Sequence, residues 1–444
     1  MARHDQQPAA LPAPTRVRYG VLGFACTLAM ITYLDRAFIG SAAPSIARDL
    51  HLTSDGDLKW VYAAFLLAYS LFEIPSGWLG DVFGPRRTLI RIVLWWSLFT
   101  AITGIVGLKV GPYTLGALSL GSLAITPLVT LTVVQFLFGM GEAGAFPNIT
   151  RALHNWLPLG ERGMAQGLVW MSGRLMGGLT PLVWTILVEG VGAAGLPRGG
   201  AQTLPPVMHW RLTFTLFGLL GVAWCLAFAL WFRNRPEEKR SVNAAELRLI
   251  RGGEGGQQAG HAGVPWRKIL ASRNLRLLCL MYACQSYGWY FYVYYLPSFL
   301  QNQHGVSPKS LLGAIYKGGP LWMGAIGCLA GGLLTDWYIR RTGNRRAGRR
   351  VFGVLGHGMT ALCFLACTAA PSVFWVFLTM SLAGFFTDLT MGSSWALCQD
   401  IGRRYAAIVA GTMNMIGNLG GTLATWISGF VLQQSLAPYC TPHG

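Results

Sequence analysis

The chain has 444 residues, of which 53% are hydrophobic and 12% charged, about half the charged share of a soluble domain. With a mean hydropathy of +0.43 it has too few polar groups to cover a soluble surface. The same figures exclude a disordered chain, a collagen, a coiled coil and a disulfide scaffold. The formal net charge of +18 sits in short basic clusters between apolar runs, the pattern of loops on one side of a membrane rather than of a nucleic-acid surface.

A crossing helix needs about 20 mostly apolar residues. Windows of that kind fall near 19–43, 58–80, 88–107, 128–150, 164–190 and 211–232. Residues 108–127 are apolar but rich in Gly and Pro, and read as an extended connection. A polar stretch over 233–274 holds the run Arg233 to Arg240 and the Gly-rich segment 252–263. Spans resume near 275–301, 311–338, 351–371, 373–398 and 405–433. The expected organisation is a cytoplasmic tail (1–18), a six-helix bundle (19–232), a cytoplasmic linker (233–274) and a C-terminal bundle (275–444) with five visible helices. No twelfth apolar run follows residue 433, so a twelve-helix plan ends one helix short. The first apolar run carries Asp35 and Arg36, unlike the core of a cleaved signal peptide.

Lys and Arg in short loops set the orientation. With the N-terminus inside, the cytoplasmic set includes Arg16, Arg18, Arg86, Arg87, Arg151, Arg162, the linker, Arg340, Arg341, Arg345, Arg346, Arg349, Arg350, Arg403 and Arg404. The outer set is only Arg48, Lys59, Lys109, Arg198, Arg211 and Lys309. The expectation is a multi-pass inner (plasma) membrane protein with its N-terminus in the cytoplasm.

One motif occurs twice. Gly77-Trp78-Leu79-Gly80-Asp81-Val82-Phe83-Gly84-Pro85-Arg86-Arg87 closes the second span. Gly332-Leu333-Leu334-Thr335-Asp336, followed by Arg340 and Arg341, closes the eighth. Small residues let helices approach closely, and an Asp–Arg set makes breakable ion pairs. The first copy resembles the signature that follows helix 2 in the major facilitator superfamily, departing only at Val82, where a basic residue is usual. The resemblance covers residues 17–434. It implies an all-α membrane protein of two six-helix-type bundles around a central cavity, with its last helix missing here. It also implies a gate built on Gly77, Asp81, Gly84, Arg86, Arg87, Asp336 and Arg340, the Asp holding the start of a later helix of the other half.

Few ionisable residues fall at membrane depth, where a charge costs roughly 2.5–3.5 kcal/mol on insertion scales. They are Asp35, Arg36, Glu73, Glu142, Arg174 and Asp388. Asp35 and Arg36 are about 100° apart around their helix, so they need not pair and both can face a cavity. Gly139-Met140-Gly141-Glu142-Ala143-Gly144 surrounds an acid with small residues, which lets a neighbouring helix shield it from water, a setting suited to proton uptake. Tyr290 and Tyr294, four residues apart, are candidates to line the cavity together, while Asp388 reads as an outer-face or Tyr-paired acid.

These residues are also similar to the anion:cation symporter branch of that superfamily. The matches are Tyr33, Asp35, Arg36, Tyr69, Glu142, Pro147, Leu296-Pro297, Trp395 and Asn414. The resemblance implies proton binding at Asp35 and Glu142. It implies a substrate carboxylate on Arg36, with Tyr33, Tyr69, Trp395 and Asn414 shaping the site. Three departures stand out: Gln135 where the branch has Arg, and Arg174 and Glu73 where Gln is common. The simplest expectation is that Arg174 replaces the missing charge, pairing with Glu142 when the site is empty and aiding the substrate when it is full.

The function expected is therefore a proton-coupled symporter importing a small organic anion, a sugar acid, by alternating access as a monomer. No cofactor, metal or nucleic acid is expected. The nine Cys lack any C-x-x-C pair and the His residues lack ligand spacing. A drug/proton antiporter is the first rival, although the fifth span has Gly177-Gly178-Leu179-Thr180-Pro181 rather than Gly-Pro-x-x-x-Gly. A non-transporting membrane sensor is the second, and it would call for a soluble signalling domain. An enzyme is least favoured, because no nucleophile–base pair stands out.

Overall fold

The computed structural model describes residues 13–52, 58–110, 113–120, 123–189, 191–192, 202–204, 207–252, 264–304 and 311–436. In the first half the helices are α1 (Val17–Asp49), α2 (Lys59–Phe83), α3 (Pro85–Ile105), α4 (Pro127–Glu142), α5 (Ala145–Trp156), α6 (Arg162–Trp184) and α7 (Trp210–Trp231). Two short helices, α8 (Ala244–Arg251) and α9 (Trp266–Leu270), lie in the linker. The second half comprises α10 (Arg273–His304), α11 (Leu311–Thr342), α12 (Arg345–Thr368), α13 (Val373–Leu389), α14 (Met391–Gly402) and α15 (Ala406–Leu436).

Seven described stretches are by themselves long and apolar enough to cross a membrane. The longest, Val373–Ala424, runs through α13 and α14 into α15. Helices α2, α6 and α10 pack into the same assembly. The Gly- and Pro-rich connection after α3 is more ordered than expected: it folds into two small antiparallel hairpins, Lys109–Val110 with Tyr113–Thr114 and Leu118–Leu120 with Leu123–Ile125. The question of a twelfth helix, and most of the Gly-rich linker run, falls outside the described residues.

Local chemistry sets the helix ends. Gly84 has φ +86° and is followed by Pro85 at the first position of α3, so the chain turns sharply between α2 and α3. Two expected spans are each two helices in series: α4 breaks into α5 after Glu142, and α13 breaks into α14 at Thr390. Glu246 of α8 accepts the Arg18 amide at 3.1 Å and the Arg18 guanidinium at 3.2 Å. The middle of the linker is thereby fastened to the start of α1, with an anion at that helix's positive end.

Within the first half α1 packs on α6, α2 on α4 and α3 on α7; in the second, α10 packs on α15 and α11 on α13. The halves meet where α11 and α14 lie on α6, and where α15 lies on α2 and α5. Glycines make this approach possible. A Cβ on Gly77 would sit 2.5 Å from the Ala407 carbonyl oxygen, and one on Gly332 would sit 2.5 Å from that of Gly163.

Candidate functional site

At the Arg-rich end of the bundles, each copy of the repeated motif holds a helix of the opposite half. The Asp81 carboxylate accepts the amides of Ala407 at 3.2 Å and Ile408 at 2.8 Å, in the first turn of α15. The Asp336 carboxylate accepts those of Gly163 at 3.1 Å and Met164 at 2.6 Å, in the first turn of α6. A carboxylate at a helix N-terminus satisfies orphan amides and complements the helix dipole.

The cationic partners differ from those expected. Asp81 pairs with Arg151 at 3.5 Å, and Arg151 also donates to the Arg403 carbonyl at 2.7 Å. Arg86 stays in its own half: its amide donates to Asn234 Oδ1 and its guanidinium to the Ala229 carbonyl. Arg87 is exposed. Asp336 pairs with Arg349 at 3.6 Å, while Arg340 is exposed beside it. Arg349 also reaches Asp400 at 3.3 Å. In the first copy the turn at Gly84 precedes both arginines, and Arg86 reaches the end of α7 instead of the Asp. The cation has to come from a helix packed across it.

Between the halves lies a cavity lined from both sides. The first half supplies Tyr33, Arg36, Tyr69, Trp170 and Arg174, and the second supplies Tyr282, Gln285, Trp289, Tyr290, Asp388, Asn414 and Asn418, among others. Aromatic rings and two guanidiniums dominate the wall. Arg36 binds Glu142 through Nε at 2.8 Å and lies over the Tyr69 ring at 4.2 Å. Its Nη2 and the Glu142 Oε2 have no hydrogen-bond partner among the described residues.

Arg174 does not pair with Glu142. Its fork grips Asp388 across the two halves, Nε to Oδ2 at 2.9 Å and Nη2 to Oδ1 at 3.1 Å. Its Nη1 donates to the Tyr33 hydroxyl at 3.2 Å, and its guanidinium lies over Trp289 at 4.6 Å. Asp388 is therefore a cavity acid, not an outer-face one. Gln135 is buried between α3 and α4, donating to Thr103 at 3.0 Å, so Arg174 is not substituting for a cation there. Removing one partner of a buried pair costs roughly 3–5 kcal/mol, so neither cavity pair opens without a replacement charge or a proton.

Asp35 also departs from expectation. It is buried at 4% exposure and both its oxygens lack a partner among the described residues; its neighbour in sequence, Arg36, turns to the cavity instead. Glu73 is fully buried and accepts from the side-chain amides of Asn414 and Asn418, joining α2 to α15. Tyr290 donates to Asn418 Oδ1 at 3.1 Å. The Tyr294 side chain lies outside the described ones. Trp395 is fully buried rather than on the cavity wall. It donates to the Tyr282 hydroxyl at 3.2 Å and packs on Trp170 and Phe146, with centroids at 4.9 and 6.1 Å. This cluster backs the cavity.

Two bundles closed around a polar cavity at mid-helix depth, joined by carboxylate caps at one end, define a membrane transporter of the two-repeat kind. The chain belongs to the Major Facilitator Superfamily, whose family model matches residues 25–425. It is 32% identical over 424 residues to a probable sulfoacetate transporter of Cupriavidus necator, covering 95% of this chain and 88% of that one. It is 25% identical to a probable galactarate/D-glucarate transporter of Escherichia coli K12 (97% and 91% covered) and to a hexuronate transporter of Bacillus subtilis (94% and 88%). Among solved structures, the proton:xylose symporter XylE is similar with a TM-score of 0.64 at 14% identity (95% and 90% covered), a likeness of fold. The family and these relatives are transporters, not enzymes.

Proposed function

We propose that this chain is a proton-coupled symporter that imports a small organic anion of the sugar-acid class by alternating access. In this reading it works as a monomer in the inner membrane with its N-terminus in the cytoplasm. The names of its relatives, transporters of sulfoacetate, galactarate or glucarate, and hexuronate, support an organic anion.

The observation that carries the reading is the division of Arg36 between Glu142 and the cavity. Its Nε is bound to the acid, while Nη2 has no partner among the described residues. An anion reaching Arg36 competes with Glu142. A proton on Glu142 removes that competition and leaves a guanidinium whose attraction for a carboxylate is about 4 kcal/mol at 4 Å and an effective ε near 20. Proton and anion then load together. Asp35, next to Arg36 in sequence and without a hydrogen-bond partner among the described residues, is the second proton site, because an ionised carboxylate with no hydrogen bond is costly at that depth. Tyr33, Tyr69 and Asn414 shape the pocket directly, and Trp395 does so through Tyr282. Asp81 and Asp336, with Gly77 and Gly332, form the cytoplasmic latch.

The test is uptake of labelled glucarate, galactonate and hexuronate into proteoliposomes. Accumulation of at least one of the three above equilibrium with an acidic exterior, and none without the gradient, is expected. Uptake that is indifferent to the gradient contradicts the coupling.

A further inference from the structure

The cavity holds a second arginine–acid pair built on the same plan as the first. Glu142 ends α4 where that span breaks, and Asp388 sits at the end of α13 where the corresponding span of the other half breaks. Each acid is bound by an arginine of the first half, Arg36 and Arg174 respectively. Both arginines line the one cavity.

We propose that the substrate bears two acidic groups, one received by Arg36 and the other by Arg174, with Asp388 holding the second site's place when the cavity is empty. This rests on the organic-anion reading above and narrows it. Four features carry it. Asp388 occupies the Arg174 fork with both oxygens, Nε–Oδ2 at 2.9 Å and Nη2–Oδ1 at 3.1 Å. The group that takes its place must then present two acceptor oxygens side by side, as a carboxylate or sulfonate does. The fork is held in orientation by the Tyr33 hydroxyl at 3.2 Å and the Trp289 ring at 4.6 Å, so it persists when Asp388 leaves. The guanidinium carbons of Arg36 and Arg174 lie 6.0 and 5.9 Å from the centroid of the one Tyr33 ring. No more than the sum of those distances separates them, and a dianion of two to six carbons bridges such a gap. Last, Arg174 belongs to the first half and Asp388 to the second, so a ligand that displaces Asp388 dissolves an ion pair between the halves. A monoanion on Arg36 leaves that pair intact.

Matched probes test this: glucarate against gluconate, and sulfoacetate against isethionate, each pair differing by one acidic group. Wild-type protein in proteoliposomes is expected to take up the dianion of at least one pair about tenfold or more faster than its monoanionic counterpart. Arg174→Gln should lower that ratio about tenfold. Asp388→Asn, which removes the competitor and leaves the cation, should tighten dianion binding and raise the ratio. A pair that only braces the two halves would move the ratio the same way in both variants, and that result overturns the proposal. The double change Arg174→Gln with Asp388→Asn leaves no unpaired charge to unfold the protein, and should lower the ratio as the single Arg change does. A wild type that carries a monoanion as well as its dianion overturns the inference alone. A wild type that carries none of the four overturns the organic-anion reading with it.

Discussion

Asp81 and Asp336 make the same cross-bond from opposite halves: each carboxylate accepts two successive amides at the start of a helix of the other bundle. Two such caps, each worth about 1.5–3 kcal/mol as bonds to a charged group, hold one end of the molecule shut. Replacing Asp81 by Asn keeps the shape and removes the charge. We expect the population open at that end to rise about tenfold, for a loss near 1.4 kcal/mol. Distances between spin labels on the loops after α2 and α14 should lengthen in the variant. An unchanged distribution contradicts the latch.

The same closure depends on two glycines. A Cβ at Gly332 would lie 2.5 Å from a backbone oxygen of α6, and one at Gly77 equally close to α15. Backbone cannot give way as a flexible side chain does, so Gly332→Val and Gly77→Val should each prevent the helices from meeting. Both variants should lose transport by more than tenfold while keeping their helical content by circular dichroism. Disulfide crosslinking between cysteines placed across the closed end should fall in parallel.

Glu142 and Asp35 should differ in kind when neutralised. Glu142→Gln takes from Arg36 its one carboxylate partner among the described residues and, in the proposed mechanism, the proton site that competes with substrate. Gradient-driven accumulation should vanish, whereas exchange of labelled for unlabelled anion persists. Asp35→Asn removes a buried carboxyl that has no hydrogen-bond partner among the described residues, so its melting temperature should equal or exceed that of the wild type. Its accumulation should still fall severalfold or more. Full accumulation by Glu142→Gln excludes it as the coupling site.

Glu73 ties α2 to α15 through Asn414 and Asn418, and through Asn418 to Tyr290. Glu73→Ala takes the carboxylate from the buried Asn414 amide, which keeps only a long 3.5 Å contact to the Tyr69 hydroxyl, and from the half-buried Asn418 amide, where an unmet buried donor costs about 1–3 kcal/mol. It should lower the melting temperature and weaken substrate affinity together, whereas Glu73→Gln should largely restore both. Affinity unchanged in Glu73→Ala would separate this clasp from the binding site.

The bundle plan was legible because each span writes its own apolar run and because the Gly77–Arg87 motif repeats at Gly332–Arg341. What the sequence could not supply was partnership across helices. Asp81 invited pairing with the nearby Arg86, yet the turn at Gly84 sends Arg86 to the Ala229 carbonyl and leaves Asp81 to Arg151. Asp336 likewise finds Arg349 of α12 rather than Arg340. Asp388 looked peripheral because an acid in an apolar run says nothing about which face it occupies. Only the packing of α6 against the second half brings Arg174 onto it. Residue spacing gave Asp35 and Arg36 separate directions, but not that one would meet the cavity and the other no hydrogen-bond partner among the described residues. The Asn414 and Asn418 pair, four residues apart on an apolar helix, is the readable sign of the Glu73 clasp.

The central claim, that Arg36 accepts an anion only when a proton has been taken up, is tested most directly by following protons. Add labelled anion to one side of lightly buffered proteoliposomes, with no imposed gradient, and record external pH alongside uptake. The account predicts alkalinisation of the medium in step with anion entry, lost in Glu142→Gln even though exchange continues. Anion entry with no accompanying pH change in the wild-type protein would contradict it.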